Sequence, residues 1–180
     1  PHEYTVLENE PVYDASIHLV PDAEHEAPTE YLSEFGYSDE EIATCPSNVA
    51  VSGPFPLMSA AGIAAAKEVI KHIQPTDEPD ADNRASNATG GCTYKSKFFQ
   101  DLARCPELIK RMSKAAGVQL AAHSIPHMQM YVNLAPLDIT KAVDAWHIDS
   151  IDYDCVILLE DPTTFEGGQF QYFRGTDKEA

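Results

Sequence analysis

The residues of this sequence best suited to chemistry are a histidine and an aspartate two positions apart, His147 and Asp149. In a β-strand successive side chains point to opposite faces, so these two project from the same face. An imidazole and a carboxylate that meet there, joined by a second histidine, form the 2-His-1-carboxylate triad. That triad binds Fe(II) on one face and leaves coordination positions open. The pattern therefore predicts that His147 and Asp149 are metal ligands.

After this pair the sequence alternates short runs of β-forming residues with turn-forming residues, as is typical of β-structure. An apolar run of strand length covers Cys155 to Leu159, and a turn-rich segment follows at residues 160–164. Gly167 and Gly168 then lead into a second run, residues 169–173. Since Pro and Gly punctuate two runs of β-forming residues, we expect two strands here.

This order of motifs resembles the Fe(II)/2-oxoglutarate-dependent oxygenases. Their β-core carries His-x-Asp at the start of one strand and commonly a Gly-Gly pair before the next. The resemblance covers residues 127–176 closely, and the preceding helices loosely. It implies an α+β fold with a double-stranded β-helix core (jelly-roll, cupin-like) and N-terminal flanking helices.

The same resemblance implies an enzyme, an Fe(II)/2-oxoglutarate-dependent dioxygenase. Such an enzyme couples the oxidative decarboxylation of 2-oxoglutarate by O2 to hydroxylation, or a related C–H oxidation, of a small organic substrate. The halogenating relatives carry a small residue in place of the aspartate. Because Asp149 is present, this chain resembles the hydroxylase-type members.

The sequence departs from the family pattern downstream of the motif. The family's second histidine follows the aspartate, whereas no histidine follows His147 in this sequence. The basic residue that binds 2-oxoglutarate, which comes after that histidine, is missing with it. We assign the ligand role to none of the upstream histidines (His2, His18, His25, His72, His123 and His127). We expect the natural protein to continue past Ala180 with both residues.

A period of two along residues 127–134 predicts a half-buried strand with one polar face. In the resembled fold, this strand precedes His-x-Asp, and its polar inward side chains help to hold 2-oxoglutarate. Tyr131 and Asn133 are the candidates for that role. The competing interpretation is ordinary packing and hydrogen bonding between neighbouring strands.

Side chains next to the motif also have expected positions. Trp146 is expected to pack as a hydrophobic anchor on the face away from the metal. Asp144 or Ser150 could orient a ligand by hydrogen bonding.

The upstream sequence predicts helices around a single domain. Residues 1–50 read as an acidic arm, with one short strand near residues 4–7 or 16–20 and a short helix that begins after a capping box at Ser38. Residues 51–120 hold flanking helices: one over 60–73 capped by Ser59, one over 98–103, and one over 107–116 ended by Gly117. A mobile loop is expected at residues 75–91, and residues 127–180 form the first part of the β-core, with the remainder missing.

Charge and composition indicate which binding partners and which cellular compartment to expect. The net charge is −17, and residues 1–50 hold twelve acidic side chains and no Lys or Arg. This sign of charge disfavours nucleic acid, and no apolar stretch of membrane-spanning length is present. The four cysteines are far apart and form no Cys-x-x-Cys pair, so a reducing, cytoplasmic setting is expected. The predicted partner is a small-molecule substrate.

Two other functions remain open from the sequence. One is another cupin-type metalloenzyme, for which a richer histidine cluster is expected. The other is a non-catalytic β-jelly-roll binding module. The substrate also stays open, since either residues 170, 172 and 174 or residues 169, 171 and 173 face inward, and the first set is aromatic while the second is rich in amides.

Overall fold

A computed structural model describes residues 7–21, 28–73, 88–135, 138, 140 and 143–180. Its α-helices are α1 (Ala15–His18), α2 (Asp39–Ile42), α3 (Ala60–His72), α4 (Cys92–Lys95), α5 (Lys97–Ala103) and α6 (Pro106–Ala116). Two 3-10 helices cover Leu32–Phe35 and Pro126–Met128. The strands are β1 (Thr29–Tyr31), β2 (Val49–Ser52), β3 (Ala88–Thr89) and β4 (Val132–Asn133). No helix within the described ranges is long and apolar enough to cross a membrane.

Helix α3 is the centre of the core, and its predicted start is confirmed. The Ser59 side chain accepts a hydrogen bond from the Gly62 N–H at 3.0 Å, so it caps the helix. Ala66 and Val69 are almost fully buried. They belong to one apolar cluster, to which α5 and α6 also contribute side chains. The buried members of this cluster are Leu19, Leu57, Ala66, Val69, Ile70, Ile73, Cys92, Phe98, Phe99, Leu102, Cys105 and Leu108.

Gly62 allows α1 to lie directly against α3. A Cβ atom at position 62 would lie 2.1 Å from the carbonyl oxygen of His18. The Ser59 N–H donates to that same oxygen at 3.0 Å, and the Ser59 hydroxyl donates to the Ile17 carbonyl at 2.6 Å. Because backbone meets backbone at this point, only glycine fits without a shift of one helix.

The strand expected near residues 16–20 is wrong for most of its length, because residues 15–18 are helical. The Asp14 carboxylate accepts a hydrogen bond from the Ser16 N–H at 2.8 Å and caps α1. Only Leu19 pairs in the β-manner, in an isolated bridge with Met58. A local cap thus overrides the β-forming character of Ile17 and Val20.

The predicted capping box and the two predicted helices of the middle segment are confirmed. Ser38 and Glu41 exchange hydrogen bonds at the start of α2. Helix α5 begins at Lys97, one residue before the predicted start. Helix α6 also begins one residue early, at Pro106, so that the proline occupies the first turn of the helix. Gly117 ends α6 with a left-handed φ of 67°.

Glu10 connects the N-terminal arm to α5. Its carboxylate accepts hydrogen bonds from the Ser96 hydroxyl and from the N–H groups of Lys97 and Phe98, both at 3.2 Å. Ser96 is itself fully buried and accepts from the Phe99 N–H at 3.0 Å. A carboxylate 86 residues away in sequence therefore completes the cap of this helix.

The described strands form two separate antiparallel pairs, β1 with β2 and β3 with β4. The strand expected over 127–134 is mostly wrong, since residues 126–128 form a 3-10 turn and only β4 is extended and paired. Two contacts hold the turn. The Met128 N–H donates to the Ile125 carbonyl, and the Thr93 hydroxyl, from a distant part of the chain, donates to the Pro126 carbonyl at 2.6 Å. No closed sheet is present among the described residues, so the double-stranded β-helix stays a prediction.

The C-terminal residues fold back onto the segment around β1. The Tyr172 hydroxyl donates to the Glu30 carboxylate at 2.7 Å, and Arg174 forms an ion pair with the same carboxylate. The Arg174 guanidinium also lies 5.2 Å from the centre of the Phe35 ring, a cation–π distance. Farther on, Lys178 pairs with the Glu41 carboxylate. Hence Tyr172 and Arg174 share one face, which packs on residues 30–35.

Most of the loop expected to be mobile, residues 75–87, lies outside the described residues. Its last part, residues 88–91, is described and contains β3. All four cysteines are free thiols, and of these only Cys45 is exposed.

Replacing Glu10 by Gln should lower the free energy of unfolding by about 1–3 kcal/mol, because a neutral amide oxygen replaces a carboxylate that accepts several hydrogen bonds. Urea unfolding followed by circular dichroism measures the change. Glu8→Gln is the matched control, since Glu8 is exposed two positions away and should stay within about 0.5 kcal/mol of the parent. Equal stability of the two variants would contradict the capping role.

A second prediction concerns Glu41. Its hydrogen bond from Lys178, followed by those from Ser38, lowers the pKa of the Glu41 carboxyl from 4.5 to about 2. Because the folded-state pKa is depressed, the stability that this group contributes is present above about pH 4.5 and is lost as the pH falls towards 2. NMR titration of Glu41 should give a midpoint near 2, and Lys178→Met should raise it. An unchanged midpoint in the variant would contradict the pairing.

Candidate metal centre

His147 and Asp149 meet in the structure. Their side chains approach to 3.1 Å between His147 Nε2 and Asp149 Oδ1. The imidazole is 28% exposed and the carboxylate 50% exposed, so the pair opens to solvent on one side. The spacing of two residues thus brings both side chains to one place, although residues 145–150 pair with no strand in the described part of the chain.

The backbone at Ala145 sets the orientation of the imidazole. The Ala145 carbonyl lies 2.6 Å from His147 Nδ1, and a carbonyl oxygen can only accept, so Nδ1 carries a hydrogen. In a neutral imidazole Nε2 then carries the lone pair. Histidines that bind metals are commonly held in this manner, with the other ring nitrogen donating to a carbonyl or carboxylate.

Two acceptors would then face each other across the 3.1 Å gap between Nε2 and Oδ1. That arrangement is repulsive unless a proton or a cation lies between the two atoms. Two ligands at right angles on an octahedral cation, each about 2.1 Å away, are themselves about 3.0 Å apart. The nitrogen and the oxygen therefore fit two neighbouring positions of such a cation.

Asp144 and Cys155, which precede and follow the pair in sequence, contribute less. Asp144 Oδ1 lies 3.9 Å from His147 Nδ1, which is beyond hydrogen-bond range. Burial, and then the charge of Asp154, raise the pKa of the Cys155 thiol to about 11, so it is neutral at pH 7 and is not a ready metal ligand. In the part of the chain that the structure describes, no three His, Cys, Asp or Glu side chains are placed to hold a metal.

One hydrophobic neighbour of the pair differs from expectation. Trp146, expected to be a packed anchor, is 70% exposed, and Ile148 is 73% exposed. The expectation was wrong because no described element covers this face of the segment.

Farther on, Gly167 and Gly168 both have left-handed φ values, 79° and 65°. The turn before residues 169–174 therefore requires the two glycines that the motif supplies.

The residues predicted to hold 2-oxoglutarate lie on the segment that ends in β4. The Tyr131 hydroxyl donates to Met128 Sδ at 2.8 Å, and its ring meets the His127 ring edge-on with 6.1 Å between centroids. Asn133 lies opposite Ala88 in the β3–β4 pair. Their assignment to 2-oxoglutarate stays a prediction.

The sequence gives no signal for the Ala145 carbonyl, since every residue has one. Only the backbone conformation could reveal this contact.

No protein-family model matches this chain, and neither the curated proteins nor the solved structures contain a significant match.

Proposed function

We propose that this protein is an Fe(II)/2-oxoglutarate-dependent oxygenase that hydroxylates a small organic substrate. The observation that carries the proposal is the 3.1 Å approach of His147 Nε2 and Asp149 Oδ1, with Nδ1 held by the Ala145 carbonyl. One imidazole and one carboxylate are two thirds of the ligand set of such iron sites. The motif order around this pair supplies the rest of the argument.

The chain's own groups have defined tasks in this proposal. His147 offers the Nε2 lone pair, and the Ala145 carbonyl prevents that ring from turning away. Asp149 supplies one negative charge, which partly neutralises a divalent cation. When bound, the iron together with 2-oxoglutarate and O2 supplies the oxidising power, while the protein positions the reacting groups.

The core and the cosubstrate site belong to the same proposal. A double-stranded β-helix would hold the pair on a rigid strand, and Tyr131 and Asn133 would bind 2-oxoglutarate from a neighbouring strand. The second of the two alternative strand faces, with Gln169, Gln171 and the exposed Phe173 ring, would suit a polar small-molecule substrate. The first of the two alternative strand faces, with Tyr172 and Arg174, is already engaged with Glu30.

We expect His147→Ala to weaken Fe(II) binding by more than about 100-fold. Removing a residue that only hydrogen-bonds to a metal ligand already lowers metal affinity by about 10- to 100-fold, and His147 is itself a proposed ligand. Asp149→Asn, which keeps the shape but removes the charge, should weaken binding as well. Anaerobic equilibrium dialysis with Fe(II) measures both affinities. Release of CO2 from labelled 2-oxoglutarate under air measures turnover.

The matched control is His72→Ala. His72 is a half-exposed histidine at the end of α3 that pairs with Glu68 on its own helix, so its loss should leave iron binding and turnover unchanged. Stoichiometric iron in His147→Ala would contradict the metal site. Iron bound through His147 without 2-oxoglutarate decarboxylation, and without the visible absorption band of the chelate, would instead favour a cupin-type metalloenzyme.

A further inference from the structure

Two exposed aromatic rings lie next to each other near the C-terminal end of the described chain, at Phe170 and Tyr172. Their ring centroids are 6.3 Å apart, and the ring planes are tilted by 38°. Phe170 is 62% exposed and Tyr172 is 41% exposed. Contiguous exposed apolar surface, unlike an exposed side chain that stands alone, commonly marks a binding site.

A buried ring continues this pair inward. The Tyr172 ring stacks on the Phe35 ring, with 6.1 Å between centroids and 26° between the planes. Phe35 is buried, and the Arg174 guanidinium lies 5.2 Å from the centre of its ring. We call Phe170, Tyr172 and Phe35 the aromatic row. Phe35 and Arg174 close the inner end of the row, while Phe170 leaves the outer end open to solvent.

Polar contacts hold the middle ring of the row in place. The Tyr172 hydroxyl donates to the Glu30 carboxylate at 2.7 Å, and Arg174 pairs with the same carboxylate. With its ring stacked on Phe35 and its hydroxyl bound, Tyr172 is fixed at both ends. A partner that contacts this ring therefore meets a side chain that is already ordered, which lowers the entropy cost of binding.

The two segments that form the aromatic row are acidic. Residues 28–41 and 165–180 together hold eight acidic side chains and two basic ones. The two basic residues, Arg174 and Lys178, already pair with Glu30 and Glu41. The remaining negative charge favours a cationic partner. It disfavours nucleic acid and also a second copy of this chain, whose net charge is −17.

We propose that the aromatic row binds a proline-rich, basic peptide segment of a partner protein. Such segments form the polyproline II helix, which is extended before it binds and docks on surfaces lined by aromatic rings. This helix rises about 3.1 Å per residue, so residues two apart are separated by about 6.2 Å, close to the 6.3 Å between the two exposed rings. Prolyl rings contact Phe170 and Tyr172, and the basic side chains of the peptide face the acidic surface.

The proposed peptide surface does not involve the proposed substrate face. Side chains alternate along an extended chain, so Phe170 and Tyr172 face away from Gln169, Gln171 and Phe173. A peptide on the aromatic row therefore leaves the second face free. The inference goes beyond the proposed oxygenase activity, and its test requires neither iron nor 2-oxoglutarate.

The probe for the test is a fluorescent peptide of three Pro-Pro-Arg repeats, and fluorescence anisotropy measures its affinity for the whole chain. Because the polyproline II helix has three residues per turn, prolines occupy two edges of this peptide and arginines the third. Alanine in place of proline keeps the charge but removes the prolyl rings, and glutamate in place of arginine reverses the charge. Each control peptide should bind at least about fivefold more weakly than the probe.

The matched variants remove one phenylalanine from each face of the same segment. Phe170→Ala should weaken binding of the probe by at least about fivefold, because it removes the open end of the aromatic row. Phe173→Ala should leave the affinity within about twofold, because Phe173 lies on the other face. Both side chains are exposed, so both variants should stay folded, which circular dichroism checks. In the parent chain, chemical-shift changes caused by the probe should centre on residues 30–35 and 169–174.

Three results with the probe would overturn the proposal. They are an absence of binding at millimolar probe, an equal loss of affinity in the two phenylalanine variants, and undiminished binding of the alanine control peptide. The last result would mean that the acidic surface attracts cations without the aromatic row. Self-association of the chain that Phe170→Ala abolishes would also overturn the proposal, because it would assign the row to a second copy.

Discussion

The arrangement of this chain depends on the contact between the end of α1 and the first turn of α3. The carbonyl of His18 lies where a side chain at position 62 would be, and Ser59 binds both that carbonyl and the one before it. Buried backbone groups must find hydrogen-bond partners, and here they find them across two helices at once. These hydrogen bonds hold the end of α1 against α3 independently of any apolar side-chain contact.

The aromatic core adds to this contact from the other side. The imidazole of His18 stacks on Tyr13, with 5.6 Å between ring centroids, and meets the Phe98 ring edge-on at 5.2 Å. Glu10 holds the start of the helix that carries Phe98. The segment from Glu10 to His18 thus contacts both α3 and α5, so its hydrogen bonds and its ring contacts stabilise the same junction.

Local signals in the sequence predicted local structure well. Ser38, Ser59 and Gly117 each act through atoms a few residues away, and a short sequence window contains everything that such caps require. The strand expected from His127 failed because the Thr93 hydroxyl, more than thirty residues away, binds the turn at Pro126. The contacts of Glu10 could not be predicted from the sequence for the same reason, because their partners are distant along the chain. At the candidate site, spacing brought His147 to Asp149, but the backbone carbonyl that orients the ring has no signature in residue type.

The free thiols have a practical consequence for studying this protein. Burial raises the pKa of both Cys92 and Cys155 to about 11, so only about one in ten thousand of these groups is a thiolate at pH 7. Cys105 is buried as well, which leaves Cys45 as the one exposed thiol among the four. Cys45 is close enough to Tyr153 for its charge to affect the pKa of that phenol. A spin label or fluorophore attached at Cys45 would therefore sit beside the segment that follows the His147–Asp149 pair, and it would report on that segment without a cysteine-free background.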